Sequence, residues 1–203
     1  MVINLEDSLT QAVSLAGALL IKGGILLHPT DTIYGLGCDA LNPAALARLN
    51  AAKKRDPGKP LVILAGSLQT VGLYFNTDPV KEALKILWPG PFTVLLAPAG
   101  NYLTHLKGKN GKIAVRIPKD PFLGELLEQW RGLLISTSAN LSGEAYRHEW
   151  GLLPPRLLEH ADLCIRRKEY PCAQPSAVIE WKGDRWNILR EGPDPLPVNP
   201  RLS

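Results

Sequence analysis

The chain has 203 residues, with 23 Lys+Arg against 19 Asp+Glu, a formal net charge of +4 and an isoelectric point near 9.0. That length suits one ordinary domain with a sizeable core, and the modest basic excess admits anionic partners without demanding nucleic acid. Cys38, Cys164 and Cys172 stand far apart with no C-x-x-C pair, which argues against a disulfide framework or a zinc site and reads as reduced thiols in a cytoplasmic protein.

Residues 8–22 are apolar enough to raise the question of a signal peptide. Glu6 and Asp7 stand where a basic segment would be needed, however, and Lys22 interrupts the run. Ser8 as a cap and Gly23-Gly24 as a stop predict a helix instead. No apolar run reaches membrane-spanning length before a charge, so no membrane association is expected. Residues 25–27 read as a buried strand halted by Pro29, which supplies no ladder N–H. The stretch Pro29-Thr30-Asp31-Thr32-Ile33-Tyr34-Gly35-Leu36-Gly37 then reads as a binding loop. It offers two hydroxyls and a carboxylate, with Gly35 and Gly37 allowing close approach to a ligand. A turn in which Asp31 bonds its own backbone is the alternative.

A helix is predicted over 43–52, followed by Lys53-Lys54-Arg55-Asp56-Pro57-Gly58-Lys59-Pro60. Cations this dense repel one another unless an anion compensates them, although a solvated charged face would look the same. Lys53 and Arg55, two apart, would point together from an extended segment and diverge on a helix. Further strands are expected over 61–64, 93–97, 113–117, 133–136, 163–165, 177–181 and 186–189, with helices over 79–87 and 121–130. Strands alternating with helices indicate α/β, and the hairpin signal Lys182-Gly183-Asp184-Arg185 makes the sheet mixed. Ser138, Asn140 and Ser142 follow the 133–136 strand as neutral donors suited to phosphate oxygens. Gly35-Leu36-Gly37-Cys38-Asp39-Ala40 satisfies G-x-G-x-x-A, but Lys53, Lys54 and Arg55 stand where a dinucleotide site needs an acid. His28, His105, His148 and His160 are scattered and are given no catalytic role.

These segments together resemble the YrdC-like threonylcarbamoyl-adenylate synthase family. The resemblance rests on Pro29 to Leu36, Lys53-x-Arg55 with Lys59-Pro60-Leu61, Trp88-Pro89-Gly90-Pro91-Phe92-Thr93, Val115-Arg116-Ile117-Pro118, Ser136-Thr137-Ser138-Ala139-Asn140, Pro175-Ser176-x-Val178 and Arg190-Glu191-Gly192, in that order. Ala177 and Lys59 depart from the threonine and histidine frequent in the family.

The resemblance implies a twisted open mixed sheet with flanking helices around a deep basic cavity. It also implies a catalytic domain over 1–192, with 193–203 as a proline-rich tail. The implied activity joins L-threonine, bicarbonate and ATP into threonylcarbamoyl-AMP and pyrophosphate, the first step of threonylcarbamoyladenosine formation in tRNA. Lys53, Arg55, Ser138, Asn140 and Arg190 would hold ATP, while Thr32, Lys59, Arg116 and Ser176 would hold threonine. No residue acts as a covalent nucleophile or acid–base pair. Mg²⁺ would ride on ATP oxygens and water without a protein ligand cage, and tRNA threonylcarbamoyl-transferase proteins would receive the product. The competing reading is an RNA-binding module of the same fold, with Tyr34 or Trp88 stacking on bases. Its weaker form is incidental RNA binding by the enzyme.

Overall fold

Local signals set most helix ends. Ser8 accepts from the Gln11 backbone N–H at 3.2 Å, Asn42 from Ala45 at 3.0 Å and Asp120 from Leu123 at 3.0 Å, each satisfying an orphan donor of the first turn. Gly23, at φ +73°, ends the first helix in the left-handed region that glycine enters without steric cost. The computed structural model describes residues 1–55, 61–108, 110–145, 149–168 and 174–197. In chain order these form β1 (Val2–Asn4), α1 (Leu9–Ile21), β2 (Leu26–His28), β3 (Gly35–Asp39), α2 (Pro43–Lys53), β4 (Val62–Leu64), α3 (Leu68–Tyr74) and β5 (Phe75–Asn76). They continue as α4 (Lys81–Leu87), β6 (Phe92–Pro98), β7 (Ile113–Arg116), α5 (Pro121–Trp130), β8 (Leu134–Ser138), α6 (Pro155–His160), β9 (Leu163–Arg166), β10 (Ala177–Trp181) and β11 (Trp186–Arg190).

The sheet runs β1-β9-β2-β3-β8-β4-β7-β6-β10-β11, with β5 pairing the far end of β6. It is mixed: β4 and β7 are parallel, whereas β2–β3, β3–β8, β8–β4, β7–β6 and β10–β11 are antiparallel. Period-two alternation sorts the apolar side chains between the faces. Leu26, Leu64 and Leu134 pack with α1 and α5 around Phe122 and Leu126. Leu27, Ile63 and Ile135 face the larger cluster, which takes in Leu49 of α2 and Leu84 of α4.

The hairpin forms as expected: Gly183 has φ +99°, and the Lys182 N–H donates to the Arg185 carbonyl at 3.0 Å. Two expectations change. Gly35 to Asp39, read as largely loop, is strand β3, so the G-x-G-x-x-A pattern lies within the sheet and opens no helix. Helix α2 runs through Lys53, with Lys54 at φ 50°, so Lys53 and Arg55 straddle a helix end and do not share an extended segment. Among the described residues no helix is long and apolar enough to cross a membrane. Cys38 and Cys164 are free, buried thiols, whereas Cys172 lies outside the described residues. Of the tail, Leu196 is half-buried against the larger core cluster.

Candidate active site

The 29–34 loop is shaped by Thr30 and not by Asp31. Thr30 Oγ1 accepts from the N–H groups of Thr32 (2.9 Å) and Ile33 (3.1 Å) and donates to the Ile33 carbonyl at 2.8 Å. The Asp31 carboxylate is thereby left for partners outside the turn. It accepts from the Lys119 N–H at 3.2 Å and forms an ion pair with Arg116 Nη2. Arg116 ends β7 and is 4% exposed. Its Nε donates to the Gly90 carbonyl and its Nη1 to Thr32 Oγ1, both at 2.9 Å. With Asp31 these account for three of the five N–H groups of a guanidinium, leaving two for a ligand. The Trp88-to-Thr93 segment supplies that carbonyl and is held by a 2.6 Å bond from Trp88 Nε1 to the Phe92 carbonyl.

Arg190 and Ser176 come together on the neighbouring strands. Arg190 donates from Nε (3.0 Å) and Nη2 (2.7 Å) to the Ser176 carbonyl, and Ser176 Oγ lies 2.8 Å from Thr93 Oγ1. This closeness depends on Gly192, where a Cβ would lie 2.3 Å from the Ala177 backbone nitrogen.

Lys53 is 1% exposed. Its ammonium donates to the carbonyls of Ser138 and, at 2.6 Å, Asn140. Burial, helped by the Arg55 charge, pushes its pKa down to about 7. The Asn140 side chain is also internally engaged: Oδ1 accepts from Ser138 Oγ at 2.5 Å, and Nδ2 donates to the Glu144 carbonyl at 2.6 Å. In this arrangement Lys53 and Asn140 brace the loop after β8.

One cleft of about 270 Å³ gathers Thr32, Arg55, Arg116, Ser138, Ser176 and Arg190 along its wall. Lys53 and Asn140 stand behind that wall, and Lys59 lies outside the described residues. Among the described residues the cleft lining holds Arg55, Arg116 and Arg190 and no Asp or Glu. Such a cleft favours a ligand with several anionic oxygens, and guanidinium forks match carboxylate and phosphate geometry. Thr30, Gly35, Ser136 and Thr137 also line it; the sequence reading placed Thr30 and Gly35 in the binding loop but gave Ser136 and Thr137 no ligand role. Period-two alternation was the available signal for Ser136, because it shares a strand face with Ser138. His28 lies directly behind, with Nε2 3.3 Å from Ser136 Oγ. Tyr34 and Trp88 are 1% and 4% exposed, and the Tyr34 hydroxyl is bound to the Arg167 backbone. Neither ring is available for base stacking, so the RNA-module reading loses its stacking contacts and is not favoured.

The architecture and the cleft define a mixed α/β protein with an arginine-lined cleft. The family model for Sua5, YciO and YrdC proteins, described as "Telomere recombination", matches residues 18–192, and the chain belongs to that family. Threonylcarbamoyl-AMP synthase of Xanthomonas euvesicatoria is 32% identical over 180 residues, covering 87% of this chain and 95% of that protein. The protein of the same name from Alkalilimnicola ehrlichii is 39% identical over 127 residues, covering 63% of this chain and 67% of its own length. A doubly substituted P. abyssi Sua5 superposes with a TM-score of 0.86 at 25% identity, covering 95% of this chain and 60% of that one. The chain therefore spans well under two thirds of that solved protein. A structure of P. abyssi Sua5 complexed with L-threonine shares the fold at a TM-score of 0.82 and 24% identity, with 57% of its length covered.

Proposed function

We propose that this chain is an L-threonylcarbamoyladenylate synthase. The carrying observation is the cleft in which Arg55, Arg116 and Arg190 meet the hydroxyls of Thr32, Ser138 and Ser176, with no carboxylate among the described lining residues. The name shared by its bacterial relatives and the threonine complex of P. abyssi Sua5 support the same reading.

In this reading the amine of L-threonine loses a proton and joins the carbon of bicarbonate, releasing water and leaving a carbamate. A carbamate oxygen then attacks the α-phosphorus of ATP, and the bond to the β-phosphate bridging oxygen breaks to release pyrophosphate. The reaction needs no covalent enzyme intermediate. The protein lowers the barrier by holding anionic reactants together and offsetting their repulsion. Arg116 offers its remaining N–H groups to the threonine carboxylate, with Thr32 and Ser176 beside it. Arg55 and Arg190 take phosphate oxygens, joined by Ser138 when its hydrogen turns from Asn140 Oδ1, while Lys53 and Asn140 hold the Ser138 loop in place. Mg²⁺ enters with the nucleotide as part of the substrate. The adenylate then passes to the transferase proteins that modify tRNA.

Incubation with ¹³C-bicarbonate, ATP and L-threonine, followed by mass spectrometry, tests this. A labelled threonylcarbamoyl-AMP is expected, and an adenylate lacking the label would overturn the assignment.

A further inference from the structure

Ser136 and His28 form a buried pair at the edge of the cleft. His28 Nδ1 lies 3.0 Å from the Pro29 carbonyl oxygen, which can only accept, so the ring hydrogen sits on Nδ1. Complete burial keeps the ring neutral by pushing its pKa down to about 4, and Nε2 therefore carries a bare lone pair. Ser136 Oγ faces that lone pair at 3.3 Å and has a single hydrogen to give. The slot exists because residue 35 has no side chain: a Cβ on Gly35 would lie 2.4 Å from Ser136 Oγ and 2.8 Å from His28 Cε1.

We propose that His28 is a positioning residue that takes the Ser136 hydrogen and so leaves the Ser136 oxygen as an acceptor for a ligand N–H or O–H in the cleft. The polarity is unusual for this site. Arg55, Arg116 and Arg190 can only donate, and they suit the phosphates, bicarbonate and carboxylate of the proposed reaction. Phosphates and the carboxylate give an acceptor nothing to bind, and bicarbonate gives it one O–H. The amino acid offers more, an amine and a hydroxyl, so the inference rests on the threonine reading and deepens it: His28, through Ser136, recognises a polar hydrogen of the amino acid. Without His28 the Ser136 hydroxyl is free to rotate its hydrogen toward the ligand, and this selectivity is lost.

The test titrates L-threonine and, separately, MgATP into the full chain by calorimetry. It uses wild type, His28→Leu, His28→Gln, Ser136→Ala and the His28→Leu/Ser136→Ala double variant, each first checked for a native near-ultraviolet spectrum. His28→Leu should weaken L-threonine about tenfold, the scale of one misdirected hydrogen bond, and leave ATP affinity unchanged. His28→Gln, which can again accept from Ser136, should restore most of the loss. In the Ser136→Ala background His28→Leu should cost nothing more. Equal threonine affinity in His28→Leu, or an undiminished loss in the Ser136→Ala background, overturns the positioning role alone. A wild-type chain that binds ATP but not L-threonine overturns the proposed function together with it.

Discussion

Because His28 is wholly buried and neutral, acid should cost this protein stability through that ring. The group titrates at 6.5 when unperturbed and at about 4 in the folded chain. Between those values the unfolded chain binds the proton more readily, so stability is complete above pH 6.5 and falls as pH drops toward 4. Integrating the linkage relation gives a loss of about 2 kcal/mol by pH 5 and about 3 kcal/mol by pH 4. For a chain of this size the loss at pH 5 corresponds to about 4–8 °C in Tm. Urea unfolding followed by tryptophan fluorescence, at pH 8 and pH 5, on wild type and His28→Gln measures it. Lys53, pushed down to about 7, acts in the same sense as His28 between pH 8 and 5, whereas the Asp39 and Asp120 carboxyls, pushed up chiefly by burial, act in the opposite sense; all three are common to both proteins. The difference between the two pH dependences therefore isolates the histidine. An equal loss in His28→Gln would refute the argument.

Arg116→Lys keeps the charge but cannot reach Gly90, Asp31 and Thr32 at once. It should lower stability by about 1–3 kcal/mol in urea unfolding and cut L-threonine affinity at least about tenfold in calorimetry. Arg55→Lys should weaken ATP binding severalfold with threonine affinity little changed, and an unaltered ATP titration would detach Arg55 from the phosphates. L-threonine should be preferred to L-serine by about tenfold or more in specificity constant, the scale of one buried methyl group. Equal constants would mean that the pocket does not enclose that methyl.

The α/β class and most strands were readable because apolar runs and turn residues are local signals. The 177–181 strand and the 121–130 helix match the structure residue for residue. Strand β3 was missed because two of its five residues are glycines, whose fit depends on His28 and Ser136 packing against them from other strands. Helices α3 and α6 are seven and six residues long, too short for a helical period to declare itself. At the site, residue types were legible but commitments were not. Asp31 looked like a turn former until Thr30 took that role. Lys53 looked like a ligand cation, yet the fold turns its ammonium to the Ser138 and Asn140 carbonyls. His28 had no signal at all, because its neutrality and its partner come from burial between strands distant in sequence.

The central claim is tested most directly by pyrophosphate release from ATP with L-threonine and bicarbonate supplied together, singly and not at all. A three-reactant cleft should release pyrophosphate only in the complete mixture, and Arg116→Ala should abolish that release. Release at the same rate without threonine, or in its presence without bicarbonate, would contradict the assignment.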